Sequence, residues 1–282
     1  MATLYLVSTP IGNLSDLSPR AADTLRSVHR ILAEDTRRTR VLTEHVQSSV
    51  PLVSVHAHNE RQRIERILGW LDAGEDLALV SDAGTPLVSD PGARVVEAVA
   101  QEGHLVVPIP GASAVLAALV ASGLPTDQFV FLGFPQRKGK ERKKLMGRVA
   151  TSEETVVLFE SPRRLVPLLK ELVEQCGPER RAAVARELTK VHEEVTRGTL
   201  EELLAYYSER SIKGEVSVVI EPASDTRSET EREAEGVRLA GELLKEGMKP
   251  SAAAREVASR LGLGRNDAYR IVHDFEGVEA DE

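Results

Sequence analysis

Short apolar runs alternate with amphipathic stretches over the first 220 residues of the chain. The runs are three to five residues long and consist largely of Leu, Val, Ile and Ala, as is typical of buried strands. The stretches between them repeat apolar residues every three or four positions, as helices with one buried face do. Strands are predicted at 4–7, 30–33, 52–55, 77–80, 105–107, 129–132, 155–159, 182–185 and 216–220. This alternation predicts an α/β fold whose first sheet is parallel and covered on both faces.

Changes along the chain predict three domains. The sequence Pro-Ile-Pro-Gly at 108–111 is typical of a hinge, and residues 223–228 are polar and linker-like. We therefore expect an N-terminal α/β domain with a parallel sheet at 1–110, a second α/β domain with a mixed sheet at 111–222, and a helical domain at 223–282. Its last pattern, Ala268, Ile271, Val272 and Phe275, follows Gly262 and Gly264. This is compatible with a helix-turn-helix, and equally with a small bundle that only packs.

Three loops that follow predicted strands are candidates for a ligand site, because open α/β sheets bind ligands beyond the carboxyl ends of their strands. The first, STPIGNL at 8–14, has the composition of an ordinary strand–helix turn. The third, PGASA at 110–114, opens an apolar helix with small residues that suit either a ligand or tight packing. Neither loop is specific on its own.

The second loop, SDAGTPLVSDPG at 81–92, is the most informative. Asp82 can accept hydrogen bonds, and Gly84 permits close backbone approach or a positive φ. Asp90 before Pro91 predicts a helix N-cap. Because no Lys or Arg lies between 81 and 93, we expect a ligand without phosphate. The chain also lacks a Gly-rich dinucleotide motif after its first strand, and residues 133–140 are one residue too long for a P-loop.

Composition excludes several classes of protein. The single cysteine, Cys176, excludes an internal disulfide, and no apolar run approaches the ~20 residues of a membrane helix. The first residues lack the basic start of a signal peptide, so we expect a cytoplasmic protein. The net charge of −8 argues against coating nucleic acid through bulk charge.

The charge is uneven, however, because residues 137–148 hold seven Lys or Arg and one Glu. This basic run is either a solvated loop and helix face or a surface that neutralises RNA phosphates. The C-terminal cations Lys249, Arg255, Arg260, Arg265 and Arg270 are a second candidate RNA contact. The predicted RNA-binding residues of the run are Arg137, Lys138, Lys140, Arg142, Lys143 and Lys144.

Seven short motifs occur in series along the chain. They are VSTPIGNL at 7–14, AEDTR at 33–37, HAHNE at 56–60, the 81–92 loop, PG at 110–111, FES at 159–161 and ARELTK at 185–190. Together they resemble the tetrapyrrole methylase superfamily, and within it the bacterial enzymes that methylate the ribose 2′-oxygen of a cytidine in the decoding centre of 16S ribosomal RNA. The resemblance covers nearly the whole chain. The first loop departs from the tetrapyrrole branch, which is richer in Gly there, and this favours the RNA branch.

The resemblance implies two α/β domains with S-adenosylmethionine bound in the cleft between them. It implies a homodimer that acts on 16S ribosomal RNA within the small ribosomal subunit, and it implies no membrane partner. A sulfonium cofactor agrees with a loop that has small residues, an acid and no cation. By the resemblance, the cofactor contacts Pro10, Asp82, Ala83, Gly84, Ser113, Ala114, Phe159, Ala185 and Val216.

The catalytic residues are harder to predict. Alignment of the 2′-oxygen with the methyl group lowers the barrier by ~7–11 kcal/mol, whereas a general base adds a rate enhancement of only about 10²–10⁴-fold. We expect Glu60 or His58 near the ribose, and Arg37 and Arg186 on phosphate or on the cofactor carboxylate. Glu60 also has a purely structural alternative, because a carboxylate is favourable at a helix N-terminus. The further substrate-side candidates are Asp35, Asn59, Glu187 and Lys190, of which Asn59 is equally a helix N-cap and the last two a surface pair.

His56 and His58 share one face of the predicted strand, and such a pair can bind a metal. No carboxylate partner is evident, so we expect no metal site.

Two other functions compete with RNA methylation: a corrin-precursor methyltransferase of the same fold, and an RNA-binding protein without catalysis. A porphyrinoid substrate needs neither the basic run nor the helical tail, and a mere binder needs no cofactor.

Overall fold

A computed structural model describes residues 2–223, 229–246, 248–261 and 264–279. The chain forms two compact units, residues 1–223 and 224–282. The first unit contains two five-stranded sheets. The predicted boundary at residue 110 between two α/β domains stays a prediction, although the last strand of the first sheet ends at Ile109.

The first sheet is entirely parallel, with the strand order β3-β2-β4-β1-β5. Its register places Leu4 opposite Leu77 and Val7 opposite Ile109. Helices α1 and α2 cover one face and α3 and α4 the other, each face burying its own core. The elements are β1 (Thr3–Val7), α1 (Pro19–Ser27), β2 (Arg30–Ala33), α2 (Thr36–His45), β3 (Leu52–Ser54), α3 (Glu60–Asp72), β4 (Leu77–Val80), α4 (Ala93–Gln101) and β5 (Leu105–Ile109).

The second sheet is mixed, with the order β6-β7-β10-β8-β9, and only the β6–β7 pair is parallel. Helices α6, α7 and α8 pack on one face around Leu165, Leu168 and Tyr207, and α5 covers the other. The elements are α5 (Ala114–Ser122), β6 (Phe129–Phe131), α6 (Lys140–Thr151), β7 (Thr155–Glu160), α7 (Pro162–Cys176), β8 (Arg181–Arg186), β9 (Glu194–Thr199), α8 (Leu200–Ser208) and β10 (Val216–Ile220).

The second compact unit contains α9 (Glu229–Lys245), α10 (Pro250–Leu261) and α11 (Arg265–Glu279). These helices share a core that includes Leu243, Val257 and Ile271. The predicted linker residues 224–228 and the turn residue Gly262 lie outside the described residues, and the helix-turn-helix stays a prediction. Across the described part of the chain, no helix combines the length and the apolar character needed to cross a membrane.

The predicted α/β class, with a parallel first sheet and a mixed second one, is confirmed. Helix α1 has a local cap, because the Ser18 hydroxyl accepts a hydrogen bond from the N–H of Ala21 at 3.1 Å. Two local predictions are wrong. Asp90 does not cap a helix, since α4 begins at Ala93 after Gly92, whose φ is 119°. His56 and His58 are not on a strand, because β3 already ends at Ser54.

Candidate active site

The three loops singled out in the sequence meet at the carboxyl edge of the first sheet. Thr9 and Gly84 exchange two backbone hydrogen bonds, of 2.9 and 3.1 Å, which join the loops after β1 and β4. A Cβ on Gly111 would lie 2.9 Å from the Ser8 Cβ, so the loop after β5 also packs tightly on the loop after β1. Small residues here are therefore required for loop-on-loop contact.

Gly84 has a φ of +80°, a conformation that side chains with a Cβ rarely adopt. A Cβ there would also lie 3.3 Å from Ile11 Cγ2. The glycine thus permits both the sharp turn after β4 and the approach of the first loop. In the same loop, Leu87 and Ser89 also have positive φ, of 73° and 69°. Backbone strain of this kind concentrates at functional sites.

A cavity of about 440 Å³ lies between this edge and the second sheet. Its size falls within the ~300–1,000 Å³ typical of small-molecule sites. The first sheet and its loops contribute Ile11, Glu34, Arg38, Asp82, Ala83, Gly84, Thr85, Val88, Ser89 and Asp90. Helix α5 and the second sheet contribute Ser113, Ala114, Val115, Phe134, Phe159, Glu160, Ser161, Pro162, Ala185, Leu188, Gly214, Glu215, Val216 and Ser217.

The structure brings eight of the nine predicted cofactor-contact residues together on this one cavity. They are Asp82, Ala83, Gly84, Ser113, Ala114, Phe159, Ala185 and Val216. Pro10 is the exception, because it lines a smaller hollow beside the cavity, which shares Arg38 and Asp82 with it. Binding of a cofactor by these residues stays a prediction, but their convergence from both sheets gives that prediction a definite site.

Three carboxyl groups of the first sheet line the cavity: Glu34, Asp82 and Asp90. Burial, together with the charges of Asp82 and Asp90, raises the pKa of Glu34 above its ordinary value. Burial and the charge of Asp82 likewise raise the pKa of Asp90. A wall that crowds carboxylates in this way attracts a cationic ligand, since a cation relieves their mutual repulsion.

Arg38 was not predicted, and it modifies the expected absence of cations from the site. Its Nη1 lies 3.2 Å from Asp82 Oδ2, and Asp82 Oδ1 accepts a hydrogen bond from the N–H of Asp35 at 3.1 Å. The cation reaches the cavity from α2 and therefore could not be found by inspecting the 81–93 loop. These contacts fix the Asp82 carboxylate between the loops after β2 and β4.

On the second sheet, Glu160 is 2% exposed and lines the cavity. Its Oε1 accepts from the N–H of Ser161, and its Oε2 accepts from Arg164 Nη2, both at 2.7 Å. This buried charge is therefore fully engaged at the start of α7. The nearby loop after β8 is strained, because Glu187 and Thr189 have positive φ of 52° and 66°.

Of the four predicted catalytic residues, none lines the cavity. Glu60 Oε1 accepts hydrogen bonds from the N–H groups of Arg94 and Val95, at 2.8 and 3.3 Å, and so caps α4. His58 is exposed in the turn before α3. Their catalytic roles stay predictions, and the geometry accounts for Glu60 without one.

The two predicted arginines are held by carboxylates. Arg37 Nη2 lies 2.7 Å from Asp35 Oδ2, and hydrogen bonds from Arg37 hold the pKa of Asp35 well below its usual range. Arg186 donates from Nε and Nη2 to Glu194 Oε2, at 3.0 and 2.9 Å. Both arginines serve local ion pairs beside the cavity walls, and phosphate binding by them stays a prediction.

The remaining substrate-side candidates have structural partners. Asn59 is the residue before α3, but its Oδ1 accepts from the N–H of His56 at 2.9 Å and does not cap the helix. Lys190 Nζ lies 2.9 Å from Glu187 Oε1 and 3.1 Å from Glu215 Oε2, and Glu215 lines the cavity. The surface pair named in the sequence is therefore present and adjoins the site. Among the described residues, no cluster of His, Cys, Asp or Glu is suited to a metal ion.

The basic run forms an exposed surface on the loop before α6 and on the helix itself. Arg137, Lys138, Lys140, Lys143 and Lys144 are exposed. Arg142 differs from the others because its Nη2 lies 2.6 Å from Glu171 Oε2 and its side chain is only 13% exposed. Arg142 therefore anchors the helix, and the other five cations define the surface, called here the basic surface.

Sequence reasoning missed Glu34, Arg38, Phe134, Glu160 and Glu215 as residues of the cavity. Glu34 and Glu160 carried a signal, since each lies in a motif of the series. Phe134 carried a weaker signal, because it is an aromatic residue three positions before Arg137, where the basic run begins.

Comparison with known proteins gives three findings. The family model of the Tetrapyrrole (Corrin/Porphyrin) Methylases matches residues 3–204. A protein of Synechocystis named Ribosomal RNA small subunit methyltransferase I is 44% identical over 276 residues, covering 98% of this chain and 99% of its own. The protein of the same name in Bacillus subtilis is 42% identical over 97% of this chain and 94% of its own.

Solved structures share the fold at lower identity. Uroporphyrin-III C-methyltransferase of Thermus thermophilus, complexed with S-adenosylhomocysteine, matches with a TM-score of 0.57 at 20% identity, over 78% of this chain and 97% of its own. Diphthine synthase matches with a TM-score of 0.61 at 16% identity, over 78% of this chain and 90% of its own. These likenesses concern the fold alone.

Proposed function

Because the chain belongs to the tetrapyrrole (corrin/porphyrin) methylase family, we propose that it methylates 16S ribosomal RNA at the ribose 2′-oxygen of a cytidine in the decoding centre. It is a methyltransferase that depends on S-adenosylmethionine. The observation that carries the RNA assignment is the similarity to small-subunit ribosomal RNA methyltransferases over nearly the whole chain. A chain devoted to porphyrinoids would need to match only the family core at 3–204.

The residues of the cavity fit the methyl donor. Ala83, Gly84, Ala114 and Ala185 leave space beside the backbone, and the carboxylates of Glu34, Asp82 and Asp90 face a ligand whose sulfonium and ammonium groups are cationic. When bound, S-adenosylmethionine supplies a methyl group that is activated for transfer to an oxygen nucleophile. The cavity therefore offers charge complementarity and shape to the donor.

The chain's own contribution is mainly to position the two reactants. The cavity walls come from both sheets, so donor and ribose are held by rigid elements, and such alignment contributes about 7–11 kcal/mol to lowering the barrier. Glu34 lies in the cavity with a raised pKa, which suits it to hold a proton released from the 2′-hydroxyl. Asp82 is fixed on the cavity wall by Arg38 and the Asp35 N–H.

The RNA needs a surface of its own, and the basic surface supplies one. Its five exposed cations lie in the loop and helix that follow Phe134, which is a residue of the cavity. Lysine and arginine there neutralise phosphates and position the RNA without reading its sequence. A ribose 2′-oxygen is reached most readily in a single-stranded region, so the target nucleotide is expected to leave its helix.

The function is tested with ribosomal RNA from cells that lack this protein. Mass spectrometry should find one ribose methyl missing from a cytidine of the 16S decoding centre, and purified protein with S-adenosylmethionine should restore it on isolated small subunits. An unchanged 16S RNA would contradict the proposal. Methylation of a porphyrinoid would support the corrin-precursor alternative, and a lack of heat with S-adenosylmethionine in calorimetry would support a binder without catalysis.

The basic surface is tested by reversing Lys143 and Lys144 to Glu. We expect weaker binding to small subunits and a slope of log affinity against log salt that is flatter by about 1.4–1.8, because each lost phosphate contact removes roughly 0.7–0.9 from the slope. The matched control reverses Arg20 and Arg61, which are exposed on the helices of the first sheet. Equal weakening by both double variants would indicate a bulk-charge effect and contradict a defined RNA surface.

The expected homodimer stays a prediction. Its support here is an apolar pair on α5, Leu116 and Val120, which lie one turn apart and are 51% and 72% exposed. Sedimentation equilibrium of the intact chain tests it.

A further inference from the structure

Phe134 is an exposed aromatic ring on the wall of the active-site cavity. It lies in the loop between β6 and α6 and is 54% exposed. One exposed apolar side chain is ordinary on a protein surface. Phe134 is distinctive because, although exposed, it also lines the cavity in which the reaction is proposed to take place.

The backbone on either side of Phe134 is fixed. The Gly133 carbonyl accepts from the N–H of Phe159 at 3.0 Å, and the Pro135 carbonyl accepts from Arg164 Nη2 at 2.6 Å. Arg164 is in turn held by the buried Glu160. The next carbonyl, of Gln136, accepts from Arg142 Nη1 at 2.8 Å. These three hydrogen bonds hold the backbone on both sides of the ring, so little order needs to be gained on binding.

Phe134 is also the outermost member of a row of three aromatic rings. The Phe131 and Phe159 centroids are 4.7 Å apart, and the Phe159 and Phe134 centroids are 5.4 Å apart. Phe131 and Phe159 are partly buried and pack against the core that α5 forms with the second sheet. Phe159 is thus the ring on the inner wall of the cavity, and Phe134 extends the aromatic wall outward to solvent.

The basic surface begins three residues after Phe134, with Arg137 and Lys138, and both of these side chains are exposed. An aromatic ring next to cations is the combination that single-stranded nucleic acid requires, because bases stack on rings while phosphates meet the cations. The partner that fits this combination is therefore a nucleotide.

We propose that Phe134 is the platform on which the base of the target nucleotide stacks when its ribose enters the cavity. This inference rests on the proposed RNA methylation. The base of a nucleotide that has left its helix loses its stacking neighbours, and an aromatic side chain replaces them. Phe134 is then a positioning residue: it aligns the 2′-oxygen by holding the base, and it takes no part in the chemistry.

The test compares F134A, F134L and F134Y for methylation of small subunits that lack the ribose methyl. Ala and Leu both remove the aromatic face, so each should raise KM and lower kcat/KM by about 10- to 100-fold, the effect of losing one base–aromatic stack. Tyr keeps the ring and should remain within about three-fold of the wild type. The Kd of S-adenosylmethionine, from calorimetry, should stay within about two-fold in all three variants, because Phe134 is not one of the residues predicted to contact the donor.

Phe129 is the matched control, because it is 38% exposed, lies in the adjacent β6 and does not line the cavity. F129A should leave KM for subunits unchanged. Full activity of F134L would overturn the proposal in favour of apolar packing, and a parallel loss of S-adenosylmethionine affinity would assign the ring to the donor instead. Failure of the wild type itself to methylate subunits would refute the proposed function, an outcome distinct from any difference between the Phe134 variants.

Discussion

At the scale of single residues, the site depends on positions where the backbone adopts conformations that most side chains resist. Gly84 joins the second loop to the first through two hydrogen bonds at a φ of +80°. Its predicted role as a ligand contact agrees with that geometry, because Gly84 lines the cavity at the same point where the loops cross.

Replacing Gly84 with Val tests this role. A β-branched residue at positive φ is expected to cost about 1–2 kcal/mol of folding free energy and to lower Tm by about 2–6 °C. It should also weaken S-adenosylmethionine binding by more than about ten-fold, measured by calorimetry. The matched control is G103V, because Gly103 has a φ of +79° and open space where a Cβ would lie. An equal loss of binding in both variants would show that strain alone is responsible.

Glu34 gives a second prediction at this scale. Burial and the charges of Asp82 and Asp90 raise its pKa, so the folded protein holds this proton more tightly than the unfolded chain. The stability that this carboxyl contributes is therefore present at low pH and is lost as the pH rises through the raised pKa. Glu34→Gln should raise the Tm of the free protein at pH 7.5 by about 1–3 °C and leave it unchanged at pH 4.

The same substitution should weaken the binding of S-adenosylmethionine at pH 7.5, since it removes a negative charge from the wall. Calorimetry and thermal unfolding are to be compared with those of E44Q, because Glu44 is exposed near the end of α2 and does not line the cavity. A lower Tm for Glu34→Gln at neutral pH would contradict the repulsion on which the prediction rests.

At the scale of elements, helix starts were predicted unevenly. Ser18, the residue directly before α1, caps that helix, whereas α4 receives its cap from Glu60, a residue of α3 that is 34 positions away from Arg94 in the chain. A sequence pattern shows caps that are local and misses those supplied by another helix. This is why Glu60 could be taken for a catalytic acid while Asp90 was taken for the cap.

Glu60 can therefore be tested for both roles at once. E60A leaves the partly buried N–H of Arg94 and the buried N–H of Val95 without their acceptor, and it should lower the free energy of unfolding by about 1–3 kcal/mol, measured by urea denaturation. E60Q keeps an acceptor oxygen and should lose less than half of that. Its kcat should stay within about three-fold of the wild type, whereas a hundred-fold loss in a folded E60Q would support a catalytic role.

Strands were predicted where burial on both faces leaves a continuous apolar run, as in β4 and β10. β9 was missed because it lies at the edge of the second sheet and its sequence, EVTRGT, is mostly polar. The α2 helix was missed for a similar reason: its residues Thr36–His45 are largely polar and only Thr39, Leu42 and Thr43 are buried. Polar elements at an edge carry little periodic signal.

At the scale of the whole molecule, the cavity joins residues that are distant in sequence. Asp82 and Gly84 were predicted because a strand end points to them, whereas Arg38 and Phe134 belong to the site only through the packing of other elements. Composition and spacing identify a loop, and the complete wall requires the relative placement of two sheets.

The first unit contains both sheets and, among the described residues, all those that line the cavity. A chain that ends at Ala223 should therefore unfold cooperatively and bind S-adenosylmethionine with a Kd within about two-fold of the full chain. Calorimetry and thermal unfolding of the shortened chain measure both quantities. A folded 1–223 chain with no affinity for S-adenosylmethionine would contradict a donor site confined to the first unit.

The order of strands in the first sheet has a consequence for synthesis. β1 leaves the ribosome well before its partners β4 and β5, which begin at Leu77 and Leu105. At roughly 5–20 residues per second, about 5–20 s pass before both partners exist. During that interval Leu4 and Val7, which are fully buried in the finished protein, face solvent or a chaperone. The nascent chain is thus most prone to aggregation early, while β1 is still without the two strands that flank it in the finished sheet.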